Sequence, residues 1–223
     1  MNAEEKTDRA EVVARTAAHV RALLGEDATG HDWWHVERVR RLALRIGAEE
    51  GADPFVVELA ALLHDVADWK FHGGDEEAGA RAARSLLEGL GVEPAIVDHV
   101  AAIVRDLSFK GAGVATPMAS REGAVVQDAD RLDALGAVGI ARAFAYGGAR
   151  GRALHDPEMP PVLHATAGAY KTAGGPTINH FHEKLLLLKD RMNTDAGRRL
   201  AEERHRVLEA YLERFLAEWD GRA

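Results

Sequence analysis

Apolar residues recur at three- and four-residue spacing along most of the chain, which is typical of amphipathic α-helices rather than strands. Asp32 is a suitable N-cap for a helix over residues 33–50. Asp53 and Pro54 then predict the start of another helix, since an N-cap is followed by proline at the first helical position. That helix carries one broad apolar face, made of Phe55, Leu59, Leu62, Leu63 and Val66.

The same signals predict helices through the rest of the chain. They cover about residues 75–90, 94–104, 120–132, 140–146 and 177–192, and a long final helix that Thr194 caps. The stretch 147–176 is rich in Gly, Pro and Ala, and we interpret it as a long loop or lid. We therefore expect an all-α fold in a single domain over residues 1–223.

Composition narrows the classes of function. A net charge of −8 disfavours binding to nucleic acid, although a small anionic substrate can bind where positive charge is concentrated locally. The absence of cysteine excludes disulfides, thiolate zinc sites and cysteine nucleophiles. Apolar runs such as 59–63 are far shorter than a membrane span, and the polar N-terminus does not resemble a signal peptide. We expect a cytoplasmic protein with no membrane partner.

A histidine and an aspartate, His64 and Asp65, directly follow an apolar run in the predicted helix 54–66. Burial of an ionised carboxylate without a partner is costly, but coordination of a cation by both side chains removes that cost. Adjacent helical residues point about 100° apart, so the pair can flank one ion at the helix edge. For an isolated pair, a simple His–Asp hydrogen bond is the better interpretation.

Two further segments favour the metal hypothesis over that alternative. His35 lies one turn into the preceding helix, and three aspartates follow another apolar run, at positions 128, 130 and 133. Mixed imidazole and carboxylate ligands suit Mn²⁺, Fe²⁺, Co²⁺, Ni²⁺ or Zn²⁺ better than Ca²⁺. Two other His-Asp pairs have simpler explanations: His31-Asp32 stands at a helix start, and His155-Asp156 precedes a proline.

The order His, His-Asp, Asp on consecutive helices resembles the HD-domain superfamily of metal-dependent phosphohydrolases. The likeness covers nearly the whole chain and includes the segments 35–39, 61–65, 127–134 and 180–185. Within the superfamily it is strongest to a bacterial subgroup with nucleotide pyrophosphohydrolases of the YpgQ type. The resemblance implies an HD-like helical bundle whose divalent metal, Mn²⁺ by preference and Mg²⁺, Co²⁺, Ni²⁺, Fe²⁺ or Zn²⁺ as alternatives, is held by His35, His64, Asp65 and Asp130.

The catalytic base is expected to be Asp68, which lies four residues after His64 and so shares its face of the predicted helix. Some HD hydrolases place a catalytic acid at this position and a second acid directly after it, whereas this chain has Trp69 there. A salt bridge of Asp68 with Arg38 or Lys70 is the structural alternative.

The substrate-binding residues are expected to be Lys70, Arg131 and Lys184, which can donate to phosphate, and His180, which can line the pocket. The implied reaction is hydrolysis of a nucleoside triphosphate to the monophosphate and pyrophosphate. A guanosine tetraphosphate hydrolase, a 5′-nucleotidase and a non-catalytic nucleotide-binding regulatory module are the alternatives.

Overall fold

The computed structural model describes residues 8–25, 32–66, 75, 77–166, 168 and 174–223, and the regular structure in these ranges is entirely helical. The helices are α1 (Arg9–Leu24), α2 (Trp33–Glu50), α3 (Pro54–Leu63), α4 (Ala78–Gly89), α5 (Pro94–Asp106), α6 (Arg121–Asp133), α7 (Gly136–Ala149), α8 (Thr177–Glu183) and α9 (Asp195–Trp219), with short 3₁₀ turns at Leu185–Leu187 and Lys189–Arg191. The expected all-α class is confirmed. None of these helices is long and apolar enough to cross a membrane.

The described residues form two compact units, with α6 beginning in the first and ending in the second. In the first unit, α3 packs against α1, α2 and α5 and is buried on nearly all sides. Its apolar side chains therefore form the centre of this unit rather than one face of a surface helix. The cap predictions hold, because the Asp32 carboxylate accepts from His35 N at 2.8 Å and the Asp53 carboxylate from Phe55 N at 2.8 Å.

An arginine fixes the alignment of α2 against α3. Arg40 donates to Glu37 on its own helix at 2.9 Å and to Glu58 on α3 at 2.8 Å and 2.6 Å. Burial tends to raise the pKa of Glu37, but hydrogen bonds from Arg40 and Arg41 outweigh this effect and lower it below the ordinary value. Arg40 follows His35 on α2, and Glu58 precedes His64 on α3. The ion pair between them therefore helps to hold the two segments next to these histidines in register.

In the second unit, a buried aspartate anchors the start of α9. The Asp128 carboxylate is fully buried and accepts hydrogen bonds from Asn193 N at 2.8 Å, Thr194 N at 2.8 Å and Thr194 Oγ1 at 2.7 Å. Thr194 Oγ1 in turn accepts from Gly197 N at 2.9 Å, which is the predicted N-cap of the final helix. Burial raises the pKa of Asp128 although these hydrogen bonds oppose it.

Several predicted element boundaries were wrong, and one of them is the start of α7, which lies at Gly136 rather than at residue 140. α3 ends at Leu63, so His64 and Asp65 lie in a turn after the helix, with Val66 N donating to Leu63 O at 3.2 Å. α8 ends at Glu183 because the backbone of Lys184 leaves the helical region, at φ −140° and ψ −60°. Neither change interrupts the apolar spacing, which is why periodicity did not indicate it.

Another boundary lies at Gly147, where the sequence predicts the end of a helix, whereas α7 continues to Ala149. A Cβ atom on Gly147 would lie 2.2 Å from Thr177 Oγ1. The glycine therefore permits close packing of α7 on the start of α8. The described residues 150–166 contain turns and no regular helix, and part of this segment is bound to α8 through Asn179 Nδ2, which donates to Met159 O at 2.8 Å. The lid remains a prediction.

Replacement of Asp128 by alanine should lower the free energy of unfolding by about 2–4 kcal/mol, because it leaves buried donors at the start of α9 without an acceptor. Urea unfolding with a chelator present measures this loss without a contribution from metal. Asp195→Ala is the matched control, since that carboxylate lies on the first turn of α9 and is 80% exposed, so its loss should cost less than about 1 kcal/mol. Equal losses in the two variants would contradict the anchoring role.

Candidate metal centre

Two buried histidines of the first unit face each other through their Nε2 atoms. His35 Nε2 and His64 Nε2 lie 3.0 Å apart, and both side chains are only 1% exposed. The rings meet edge to face, with an interplanar angle of 74°. Because two lone pairs at this distance repel each other, the arrangement requires a proton or a cation between the nitrogens.

Local structure sets which nitrogen of His64 is available. His64 Nδ1 lies 2.8 Å from the carbonyl oxygen of Ala61, and since a carbonyl only accepts, Nδ1 carries the proton. With Nδ1 as the donor, Nε2 is the ring nitrogen that faces His35 and can bind a metal. A ligating histidine is commonly held by a backbone carbonyl in this way.

A carboxylate oxygen completes a triangle of possible ligand atoms. Asp65 Oδ2 lies 3.4 Å from His35 Nε2 and 3.6 Å from His64 Nε2. Ligand atoms that bind one cation at about 2.0–2.2 Å, with about 90–110° between the bonds, lie about 2.8–3.6 Å apart. The three separations therefore fit a single divalent ion, and the described residues provide a His/Asp cluster that could bind a metal.

The three aspartates of α6 have different surroundings. Asp128 is bound to the start of α9, and Asp133 is buried and accepts from Arg142 Nη1 at 2.9 Å. Asp130, the aspartate expected to be a ligand, is half-buried and lies on the same helix. Two of the three carboxylates thus serve the packing of the second unit. That Asp130 is the metal ligand of this segment stays a prediction.

The Arg131 side chain is buried and forms hydrogen bonds within the protein. It is 6% exposed, and its guanidinium donates to the carbonyl oxygen of Arg191 and, at 2.8 Å, to Thr116 Oγ1. Burial lowers its pKa from the ordinary value, although Asp128 and Asp130 oppose this. These contacts were not foreseen, because the sequence shows only that Arg131 follows a ligand candidate. Contact of Arg131 with substrate stays a prediction.

The other expected substrate residues in the described chain belong to α8 and its end. His180 and Lys184 are both half-buried, and Lys184 N donates to His180 O at 3.0 Å. The Lys184 ammonium lies 5.3 Å from the centre of the Phe109 ring. Sequence reasoning missed Phe109, since an aromatic residue after an apolar helix is ordinarily part of the core.

Asp68 and Lys70 lie outside the described residues, as does His31. The prediction for Asp68 requires a helix that continues through His64, and α3 ends one residue before that histidine. The four-residue spacing therefore does not by itself put the two side chains on one face. The role of Asp68 now depends on the family resemblance alone.

Two other described histidines, His99 and His155, have different partners. His99 Nε2 lies 2.7 Å from Ser120 Oγ, so this histidine supports the cap of α6, where Ser120 Oγ also accepts from Gly123 N. His155 lies edge to face against Trp219 and Phe215, at ring-centre distances of 5.2 Å and 6.3 Å. Both are explained by packing within their own units.

Comparisons with known proteins give the cluster a family context. Residues 33–135, which contain all four expected metal ligands, match the model of the HD domain. The chain is 45% identical over 191 residues to YpgQ of Bacillus subtilis strain 168, a match that covers 85% of this chain and 84% of YpgQ.

Solved structures agree with this family context. One is the crystal structure of an HD-superfamily hydrolase from Bacillus thuringiensis, with 45% identity, a TM-score of 0.74 and coverage of 96% of this chain and 99% of that one. Another is Bacillus subtilis YpgQ in complex with ADP, with 37% identity, a TM-score of 0.73 and coverage of 94% and 95%. The sequence and the helical fold of this chain agree with those of these relatives over most of their length. This chain therefore belongs to the HD-domain superfamily of metal-dependent phosphohydrolases.

Proposed function

We propose that this chain hydrolyses a nucleoside triphosphate to the monophosphate and pyrophosphate, with one divalent cation held by His35, His64, Asp65 and Asp130. The observation that carries the proposal is the convergence of His35 Nε2, His64 Nε2 and Asp65 Oδ2 within 3.0–3.6 Å of one another. The nucleotide is supported by the YpgQ relative, whose structure was determined with ADP.

The donor set indicates the kind of cation. Two imidazole nitrogens and two carboxylates suit Mn²⁺, Fe²⁺, Co²⁺, Ni²⁺ or Zn²⁺. We favour Mn²⁺, while Mg²⁺ binds imidazole less readily. Four protein ligands leave positions for water or a phosphoryl oxygen in a six-coordinate ion.

The chain's own residues bind the phosphates and move the proton. A bound cation would polarise the phosphoryl oxygen and lower the pKa of a water molecule at the site. In this proposal Asp68 accepts a proton from the attacking water through its carboxylate. Lys70 and Lys184 offer ammonium groups to the phosphate oxygens, His180 lines the pocket, and these contacts offset the negative charge that increases in the transition state. Arg131 either donates to the phosphate oxygens as well or acts only on the loop that carries Thr116, to which its guanidinium donates.

Loss of any proposed ligand should abolish metal binding at the site. Removal of a residue that hydrogen-bonds to a metal ligand lowers the affinity for the metal by about 10–100-fold, so removal of the ligand itself should lower that affinity further. Elemental analysis after dialysis against Mn²⁺ should find about one ion per wild-type chain and almost none in His64→Ala or Asp130→Ala. His99→Ala should retain the ion, because that histidine bonds to Ser120. Full occupancy in Asp130→Ala would remove Asp130 from the ligand set.

The products of a nucleotide panel test the reaction itself. With Mn²⁺ present, nucleoside triphosphates should yield the monophosphate by chromatography, and inorganic phosphate should appear only after a pyrophosphatase is added. His64→Ala is the inactive control. Direct release of phosphate from monophosphates would show a 5′-nucleotidase, and selective cleavage of guanosine tetraphosphate would show that alternative. Binding without turnover of any nucleotide would indicate a regulatory module.

The role of Asp68 is tested by Asp68→Asn, which preserves shape but cannot accept the proton. Turnover should fall by about 10²–10⁴-fold, the usual contribution of a positioned acid or base. Metal content and nucleotide affinity should stay close to those of the wild type. A parallel loss of metal would show that Asp68 supports the ligands, and near-normal turnover would show that it is not the base.

A further inference from the structure

Lys184 stands where the backbone changes direction. α8 ends at Glu183, and Lys184 adopts φ −140° and ψ −60° before the 3₁₀ turn at Leu185–Leu187. The side chain therefore does not follow the direction that a continuous helix would give it. Four flexible bonds separate its ammonium from the backbone, so a defined position for this charge requires a contact near its end.

One such contact is with the ring of Phe109. The Lys184 ammonium lies 5.3 Å from the ring centre, and the Arg191 guanidinium lies 5.0 Å from the same centre. A cation within about 6 Å of an aromatic centre is attracted by the negative charge of the ring face. Phe109 is half-buried, so both interactions are partly shielded from water. The ring thus attracts two cations in the second unit.

The loop that carries Phe109 is fixed by the two arginines around it. Arg191 donates to the carbonyl oxygens of Gly111 and Val114, each at 3.2 Å, and to that of Ala112. Arg131 donates to Thr116 Oγ1 in the same loop and to the carbonyl oxygen of Arg191. Five hydrogen bonds therefore join residues 111–116, Arg131 and Arg191 into one arrangement.

A glycine allows the same loop to pack closely on the segment before α8. Gly113 N donates to His164 O at 3.2 Å, and a Cβ atom at Gly113 would lie 2.8 Å from Ala165 O. Any residue other than glycine would therefore require the backbone to move at this position. The loop is held on both sides, which gives the Phe109 ring a fixed place.

The two cations on the ring have different chemical properties. The Arg191 guanidinium is committed to three main-chain carbonyls, so it is part of the scaffold. An ammonium carries three N–H groups, so an ammonium that is attracted to a ring through its charge can still donate a hydrogen bond to a phosphate oxygen. We propose that Phe109 is a positioning residue, which holds the Lys184 ammonium in place to bind the polyphosphate chain of a nucleotide. This inference rests on the proposed function, in which Lys184 contacts phosphate.

Binding of inorganic pyrophosphate and of ADP, measured by calorimetry with Mn²⁺ present, tests the proposal. Phe109→Leu keeps an apolar side chain but removes the ring, and it should weaken both ligands by about threefold to tenfold, as expected for one cation–aromatic contact. Phe109→Tyr keeps the ring and should bind within about twofold of the wild type. Equal weakening in the Leu and Tyr variants would overturn the proposal.

A double-mutant cycle separates positioning from a general effect on structure. Lys184→Gln should weaken pyrophosphate binding, and Phe109→Leu should have almost no further effect in that background, because the two residues act through one ammonium. If Phe109→Leu causes the same loss with and without Lys184, its effect is structural and the proposal is wrong. It is also wrong if Lys184→Gln leaves binding unchanged.

Turnover of nucleoside triphosphates by the wild type is measured separately. If the wild type binds pyrophosphate but cleaves no triphosphate, the proposed function fails while the binding cycle still decides the role of Phe109. If triphosphates are cleaved and the cycle shows no coupling, the proposed function stands and the role of Phe109 is refuted.

Discussion

Two imidazole nitrogens 3.0 Å apart, with a carboxylate oxygen 3.4–3.6 Å from both, impose the main physical constraint on the first unit. Both histidines are buried, so a proton or a cation rather than water has to lie between the two nitrogens. The surrounding structure holds this arrangement: the Ala61 carbonyl fixes a proton of His64 on Nδ1, and Arg40 holds α2 against α3. A divalent ion bound by both nitrogens would take the place of that proton, which is why membership of a metal-dependent family accounts for the cluster.

Buried charge has a different use in the second unit. Asp128, Arg131 and Arg191 lie near the proposed chemistry in sequence or in structure, yet their hydrogen bonds go mainly to backbone groups. Backbone acceptors and donors at helix starts and in loops need partners when water is excluded. Here charged side chains are those partners. They fix the positions of the 111–116 loop and of the start of α9, whose backbone groups have no regular hydrogen-bond pairing.

The same residue types therefore serve two functions a few positions apart. In α6, Asp128 binds the start of α9, Asp130 is the proposed ligand, and Asp133 pairs with Arg142. Charge alone does not separate these roles, because all three are carboxylates after an apolar run. What separates them is the set of donors that folding brings to each, and those donors come from positions as distant as Asn193 and Thr194.

The sequence by itself determined the helical class, most helix starts and the family. Caps such as Asp32, Asp53, Ser120 and Thr194 act on backbone groups only two or three residues away, so local chemistry is sufficient to recognise them. The order of His35, His64-Asp65 and Asp130 likewise requires no coordinates. Tertiary structure decided where α3 and α8 end, since Leu63 and Glu183 are followed by residues that would continue a helix equally well. It also decided that Gly147 packs against Thr177 and that Phe109 lies under Lys184 and Arg191, because contacts between residues far apart in the chain depend on packing that no local spacing records.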